Sequence, residues 1–139
     1  MNRILAIDYG EKKIGLALSD PLQIIAKPFK TINNDSVNEL LKNIENIVKE
    51  KNISQIVIGL PITMKNKYSK QTDIVENFIE TLKEYFKIDI IPVDERLSSI
   101  EAQKSLIKQG VKTGHNKREI DKTAAAIFLQ SYLNQIAID

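Results

Sequence analysis

Arg3-Ile4-Leu5-Ala6-Ile7-Asp8-Tyr9-Gly10-Glu11-Lys12-Lys13-Ile14-Gly15-Leu16-Ala17-Leu18-Ser19-Asp20 decides the fold. Ile4 to Ile7 is continuously apolar, which suits a strand covered on both faces. After a polar turn, Ile14, Leu16 and Leu18 alternate with Gly15, Ala17 and Ser19, the period of two that a strand requires. So short a connection joins antiparallel strands. Asp20-Pro21 marks the next turn. Ile24 to Ile32 is predicted as a third strand of the meander, at a sheet edge because Pro28 cannot donate to a ladder.

Beyond the meander the pattern changes period. Val37, Leu40, Leu41, Ile44, Ile47 and Val48 recur at helical spacing, opened by the capping pair Ser36 and Glu39. Ile56-Val57-Ile58 is a short buried strand stopped by Gly59-Leu60-Pro61, and a polar loop runs to about Lys70. Ile74, Val75, Phe78, Ile79, Leu82, Tyr85 and Phe86 form a second helical stripe. Ile88 to Asp94 is the fifth strand, and Pro92 sends it to an edge. A third helix is predicted from Ser98 and Glu101 to Gly110, and a fourth from about Arg118 to the mid-130s. Strand–helix–strand crossovers make strands 1, 4 and 5 parallel and strand 2 antiparallel. The expected fold is α/β: a five-stranded mixed sheet with helices on both faces, in one domain spanning residues 1–139.

The 139 residues can bury a core without staples, and no cysteine is present, which excludes disulfides and thiolate metal sites. No apolar run is long enough to span a membrane, and the N-terminal residues lack a secretory pattern. A soluble cytosolic protein is expected. The net charge of +2 is too balanced to identify a nucleic-acid partner by itself. Local patches are more telling: between Lys104 and Lys122 six basic residues face two acids, a local +4. Lys65, Lys67 and Lys70 add to them. Singly, such lysines belong on a solvated face; gathered around an acidic rim, they suit a polyanion.

Asp8, Glu95 and Asp121 are the candidate site. In mixed sheets of this kind, sites form beyond the carboxyl ends of the parallel strands. Asp8 closes one such strand and Glu95 follows another. Asp121 stands before Ala124-Ala125-Ala126, and small residues let a helix approach a sheet closely. Each acid also has a local explanation: a hairpin Asp bonding its own turn, an acid–base pair with Arg96, and a helix-opening acid favoured by the macrodipole. Carboxylates that converge repel one another unless a cation lies among them, so divalent-metal phosphodiester chemistry is the leading expectation. Alternation along strand 5 points Asp94 and Glu95 to opposite faces. Tyr68 is a candidate for stacking on a base, and His115 for proton transfer; packing and a solvated loop are the simpler readings.

These segments together resemble the YqgF family, also called RuvX-type Holliday junction resolvases, whose fold is ribonuclease H-like. The resemblance rests on Asp8-Tyr9-Gly10 with Ile14-Gly15-Leu16-Ala17 and Ser19-Asp20, on Ile58-Gly59-Leu60-Pro61 with Met64, on Asp94-Glu95-Arg96-Leu97, and on Ile120-Asp121 with Ala124-Ala125 and Leu129-Gln130. It covers essentially the whole chain. It departs at Met64-Lys65-Asn66-Lys67-Tyr68-Ser69, where the family usually carries a glycine-rich stretch, and at Ser98-Ser99, where threonine is frequent.

The resemblance implies that Asp8, Glu95 and Asp121 form an acidic site holding Mg²⁺ or Mn²⁺ in a nuclease. The implied partner is structured nucleic acid, either precursor 16S rRNA trimmed at its 5′ end or branched DNA. Lys12, Lys13, Lys65, Lys67, Arg96, Lys117 and Arg118 are the candidates for holding phosphates. A junction resolvase needs two active sites facing two strands, hence a homodimer; an rRNA nuclease works as a monomer too. Two other readings share these features. One is a nucleic-acid-binding factor without catalysis. The other is an actin-like kinase or ATPase, whose Asp-x-Gly hairpin lies near phosphate but which needs two lobes around its nucleotide.

Overall fold

A computed structural model describes residues 2–61, 70–94 and 117–138, with the side chains of the last segment from 123 to 137. The strands are β1 (Arg3–Asp8), β2 (Lys13–Ser19), β3 (Ala26–Asn33), β4 (Ile53–Leu60) and β5 (Asp89–Asp94). The helices are α1 (Val37–Glu50), α2 (Lys70–Tyr85) and α3 (Lys117–Ile138). The sheet order is β3-β2-β1-β4-β5. β1, β4 and β5 are parallel, and β2 is antiparallel to both of its neighbours, as the crossover argument requires. Pro28 and Pro92 lie on the two edge strands, where a missing N–H leaves no central ladder broken.

Strand alternation divides the core in two. Leu5 and Ile7 join Ile14, Leu16, Ile56 and Ile58 beneath α1 and α2, which contribute Leu40, Ile44, Ile47, Val75, Phe78 and Leu82. Ile4 and Ala6 point the other way and join Ala17, Ala26 and Val57 beneath Ala125, Ala126, Phe128, Leu129 and Leu133 of α3. This is the expected mixed sheet with helices on both faces.

The termini of α1 follow the sequence closely. Ser36 is the N-cap, and its hydroxyl accepts from the Glu39 N–H at 3.2 Å. At the other end the Lys51 N–H donates to the Ile47 carbonyl at 2.9 Å. Asn52 then takes φ = 54°, a left-handed position that asparagine tolerates after a helix. Its carbonyl accepts from the Arg3 N–H at 3.0 Å, tying the helix end to the start of β1.

Two expectations are corrected. The third strand begins at Ala26, not Ile24, because the Asp20 carboxylate accepts the N–H groups of Ile24 (2.7 Å) and Ile25 (2.8 Å) and withholds them from pairing. Ile24 and Ile25 are exposed in consequence. The helix predicted from about Arg118 is α3 and starts at Lys117, so Asp121 lies in its second turn rather than opening it, since Lys, Arg and Glu extend a helix readily. The predicted helix between Ser98 and Gly110 lies outside the described residues, as do Tyr68 and His115.

Candidate functional site

The rim at the carboxyl ends of β1, β4 and β5 is built from strand parity. Ile4 and Ala6 face α3, so Asp8 continues that face at the end of β1. Tyr9 turns to the other side, where its ring lies 4.8 Å from that of Phe78. Asp8 is half-buried, and its cross-strand partner is Gly15. On the other flank the last β1–β4 pair is Ile7 with Ile58, so the next residue of β4 along the register is Gly59. Asp8 therefore stands between two positions without side chains on its own face.

The β1–β2 turn is held from the far strand. A Cβ on Gly10 would collide with the Lys13 carbonyl oxygen, so this turn requires glycine. The Gly10 carbonyl accepts from the Asn34 side chain and the Lys12 carbonyl from the Asn34 N–H, both at 2.9 Å. Lys13 donates its ammonium to the Asn33 side-chain oxygen at 2.6 Å, while Lys12 is exposed. Asn33 and Asn34 thus fix the turn that carries Lys12 and Lys13. They were missed from sequence; an Asn-Asn pair closing an apolar strand was the available signal, but it reads equally well as an ordinary turn.

β5 repeats the parity argument. Val93 packs on the α3 side, which sends Asp94 to the other face. Asp94 is half-buried. Glu95, Arg96, Lys65 and Lys67 lie outside the described residues. Residues 62–69 are flanked at the rim by Pro61, whose carbonyl accepts the hydroxyl of Thr72 from the start of α2.

α3 is oriented by two contacts near its C-terminal half. The side-chain oxygen of Gln130 accepts from the Ala26 N–H, and its amide donates to the Ile24 carbonyl, each at 2.9 Å. The Tyr132 hydroxyl reaches Gln55 of β4 at 3.1 Å. Ala26 and Gln55 both belong to the base of the sheet, so α3 runs downward from the rim and its first turns, Lys117 to Asp121, are its rim-ward end. Of the predicted site residues, Asp8, Lys12 and Lys13 meet at one turn, and Lys117, Arg118 and Asp121 form the upper end of the helix covering Asp8's face. Among the described residues no three His, Cys, Asp or Glu groups come together around a common point.

Comparisons agree with this architecture. The sequence model of a family described as "RuvX: Holliday junction resolvase" matches residues 2–135. A protein of Endomicrobium trichonymphae named "Putative pre-16S rRNA nuclease" is 40% identical over 135 residues, covering 96% of each chain. A protein of the same name from Dictyoglomus turgidum is 37% identical over 137 residues, covering 99% of this chain and 97% of its own. Among solved structures, T. thermophilus RuvC in complex with a Holliday junction superposes with a TM-score of 0.62 at 10% identity, over 99% of this chain and 96% of that one. The yeast mitochondrial Holliday junction resolvase gives 0.60 at 12% identity, over 98% and 79%. At such identities the structural likeness speaks for the ribonuclease H-like fold alone.

Proposed function

We propose a function from one premise: the chain belongs to the RuvX family. It is a nuclease that hydrolyses phosphodiester bonds, and its site is the rim around Asp8. The observation that carries this reading is the setting of Asp8: a half-buried carboxylate at the carboxyl end of a central parallel strand, between Gly15 and Gly59, on the face that α3 covers.

Two arguments support Asp121 and Glu95 as its companions. Gln130 is level with Ala26, which pairs with Ser19, itself level with Ile4. From Ile4 to Asp8 is four strand residues, about 13 Å of rise. From Gln130 back to Asp121 is nine helical residues, about 13.5 Å. The two acids then stand at similar heights on one side of the sheet. Positions 121 and 125 share a helix face by their spacing, and Ala125 is fully buried against the sheet. For Glu95 the support is its place in the Asp94-Glu95-Arg96-Leu97 motif that the chain shares with its family.

Three carboxylates offer only hard oxygen donors, which fit Mg²⁺ or Mn²⁺ rather than a thiophilic metal. Asp8, Glu95 and Asp121 would hold the metal. Such a cation, when bound, polarises the scissile phosphate and lowers the pKa of an attacking water. The chain's own residues do the rest. Asp8 is pre-oriented by the end of β1. Lys12, on a turn clamped by Asn34, presents its ammonium to the non-bridging oxygens of the substrate, with Lys13 beside it. Lys65, Lys67, Arg96, Lys117 and Arg118 are the further residues proposed to hold phosphates.

The substrate that fits best is precursor 16S rRNA, cleaved near its 5′ end, as the names of the relatives indicate for those proteins. The second reading, branched DNA, is favoured by the family's description and by a fold shared with junction resolvases. Asp8→Asn is the test of the site: a variant that melts like the parent and cleaves as fast would remove the rim from consideration. Parallel cleavage of precursor rRNA and a four-way junction, with the oligomeric state measured, separates the readings. A homodimer cutting junctions symmetrically selects DNA; a monomer cutting only RNA selects rRNA.

A further inference from the structure

A second cationic feature lies at the opposite end of the sheet. Between the start of β1, the end of β2 and the start of β3 is a cavity of about 420 Å³, lined by Arg3, Asp20, Lys27, Phe29 and Lys51 among others. A bulge shapes it. The β2–β3 register steps from Leu16–Lys30 to Ala17–Pro28, leaving Phe29 as an extra residue. Lys27 pairs with Leu18 and Lys30 with Leu16, so both lysines fall on the α1 side, where Phe29 also packs. The ammonium groups of Lys30 and Lys51 lie 5.2 and 5.7 Å from the Phe29 ring centroid. They are close enough for cation–π attraction, which gathers the charges around one aromatic side chain.

Asp20 offsets one of the three lining cations, Arg3, Lys27 and Lys51, and leaves the pocket net positive. Burial alone would raise the pKa of Asp20, but N–H groups of Ile25, Ile24 and Leu22 and its own outweigh that and hold its carboxyl below the ordinary range. Its two oxygens are turned towards those donors at 2.7 to 3.1 Å. Glu50, next to Lys51, is exposed at the end of α1. The result is a nucleotide-sized pocket with three cations and an aromatic ring.

The pocket and the Asp8 rim lie at opposite ends and on opposite faces of the sheet, about 17 Å apart along β1. The open edge of β3 is where the two faces meet. Lys27 and Lys30 lie along that edge, and its upper end reaches Asn33, the partner of Lys13. We propose that this pocket is a second nucleic-acid contact: it seats a phosphate-bearing nucleotide of the strand being cleaved, and that strand follows the lysine-bearing edge of β3 up to the rim. The inference rests on the nuclease reading and extends its footprint to a surface remote from the acids.

The test measures binding in the Asp8→Asn background, so that the strand stays whole. Single-stranded RNAs of graded length are titrated by fluorescence anisotropy into this protein, into Lys27→Glu/Lys51→Glu, and into the control Lys42→Glu/Lys49→Glu, which makes the same charge change on exposed positions of α1. Expected are equal affinities for the shortest RNA and about a tenfold loss for the longest in the pocket variant alone, its salt slope falling by about 1.4. Equal losses in the control, or an unchanged length dependence in the pocket variant, would overturn the proposal. So would saturable binding of a free nucleoside monophosphate that Lys27→Glu/Lys51→Glu abolishes without altering RNA affinity. Failure of Asp8→Asn to stop cleavage, seen on a gel of the same mixtures, would instead strike the nuclease site; the titrations are then repeated with divalent ions chelated, where the strand stays whole and the binding outcomes are read as before.

Discussion

The two faces of the sheet are filled by different kinds of side chain. Under α1 and α2 the filling is Leu, Ile, Val and Phe. Under α3 alanines make up half of the filling: Ala6, Ala17 and Ala26 on the sheet and Ala125 and Ala126 on the helix, beside Ile4, Val57, Phe128, Leu129 and Leu133. Large interdigitating side chains hold helices at a distance and maximise buried apolar area, so the first face is mainly a source of stability. Small residues let a helix sit low, so the second sets a position. Asp8 lies on the second.

Five variants would break or sharpen that contrast. The largest expected effect is from Asp8→Asn, a loss of at least about a hundredfold in cleavage with little change in melting temperature, since a metal ligand should cost more than its supporting residues do. Comparable losses of stability and activity would mean that Asp8 belongs to the core rather than the site. Next comes a pair. Leu82→Ala on the α1/α2 face should lower unfolding free energy by about 2–5 kcal/mol, read by denaturant titration, while turnover of the folded enzyme stays within about twofold. Ala126→Leu on the α3 face should cost less stability, about 1–3 kcal/mol, yet reduce turnover tenfold or more by lifting the helix. If Ala126→Leu cleaves like the parent, the low seat of α3 does not serve the site.

Gln130→Ala removes the acceptor of a buried Ala26 N–H. It should cost about 1–3 kcal/mol and loosen hydrogen-exchange protection at the base of α3 before the rim. The smallest effect concerns Asp20. Its pKa is depressed in the folded protein, so its contribution is present at neutral pH and is lost as pH falls below about 4. Melting temperatures of Asp20→Asn and the parent should therefore converge on acidification. A gap that widens in acid would reverse the assignment.

The parts of this architecture legible in sequence are those set by period. Alternation from Ile14 to Ser19, the run Ile4 to Ile7 and the helical stripes indicated the strand directions and helices on both faces, and prolines marked both edges. Long-range polar locks were not legible. Nothing local in Ile24-Ile25 shows that Asp20 will take their N–H groups, so the strand was started two residues early. Nothing local shows Asn34 reaching back across 24 positions to Gly10. Asp121 was read as an opening residue because the alanines after it are conspicuous, whereas the charged residues before it prolong the helix equally well. Of the candidate site, the turn at Asp8 was visible through chain reversal and glycine spacing; joining Glu95 and Asp121 to it is a matter of tertiary distances that no spacing supplies.

The prolines on both outer strands have a consequence for assembly. A free sheet edge is the commonest template on which one chain adds another, and Pro28 and Pro92 each interrupt the row of donors such addition requires, with Lys27 and Lys30 adding like-charge repulsion on the β3 side. Continuous strand-to-strand pairing of two copies is thereby disfavoured at either border. A dimeric form would have to meet through helices or loops, and the spacing of its two rims would follow from helix packing rather than from the 4.8 Å step of a shared sheet.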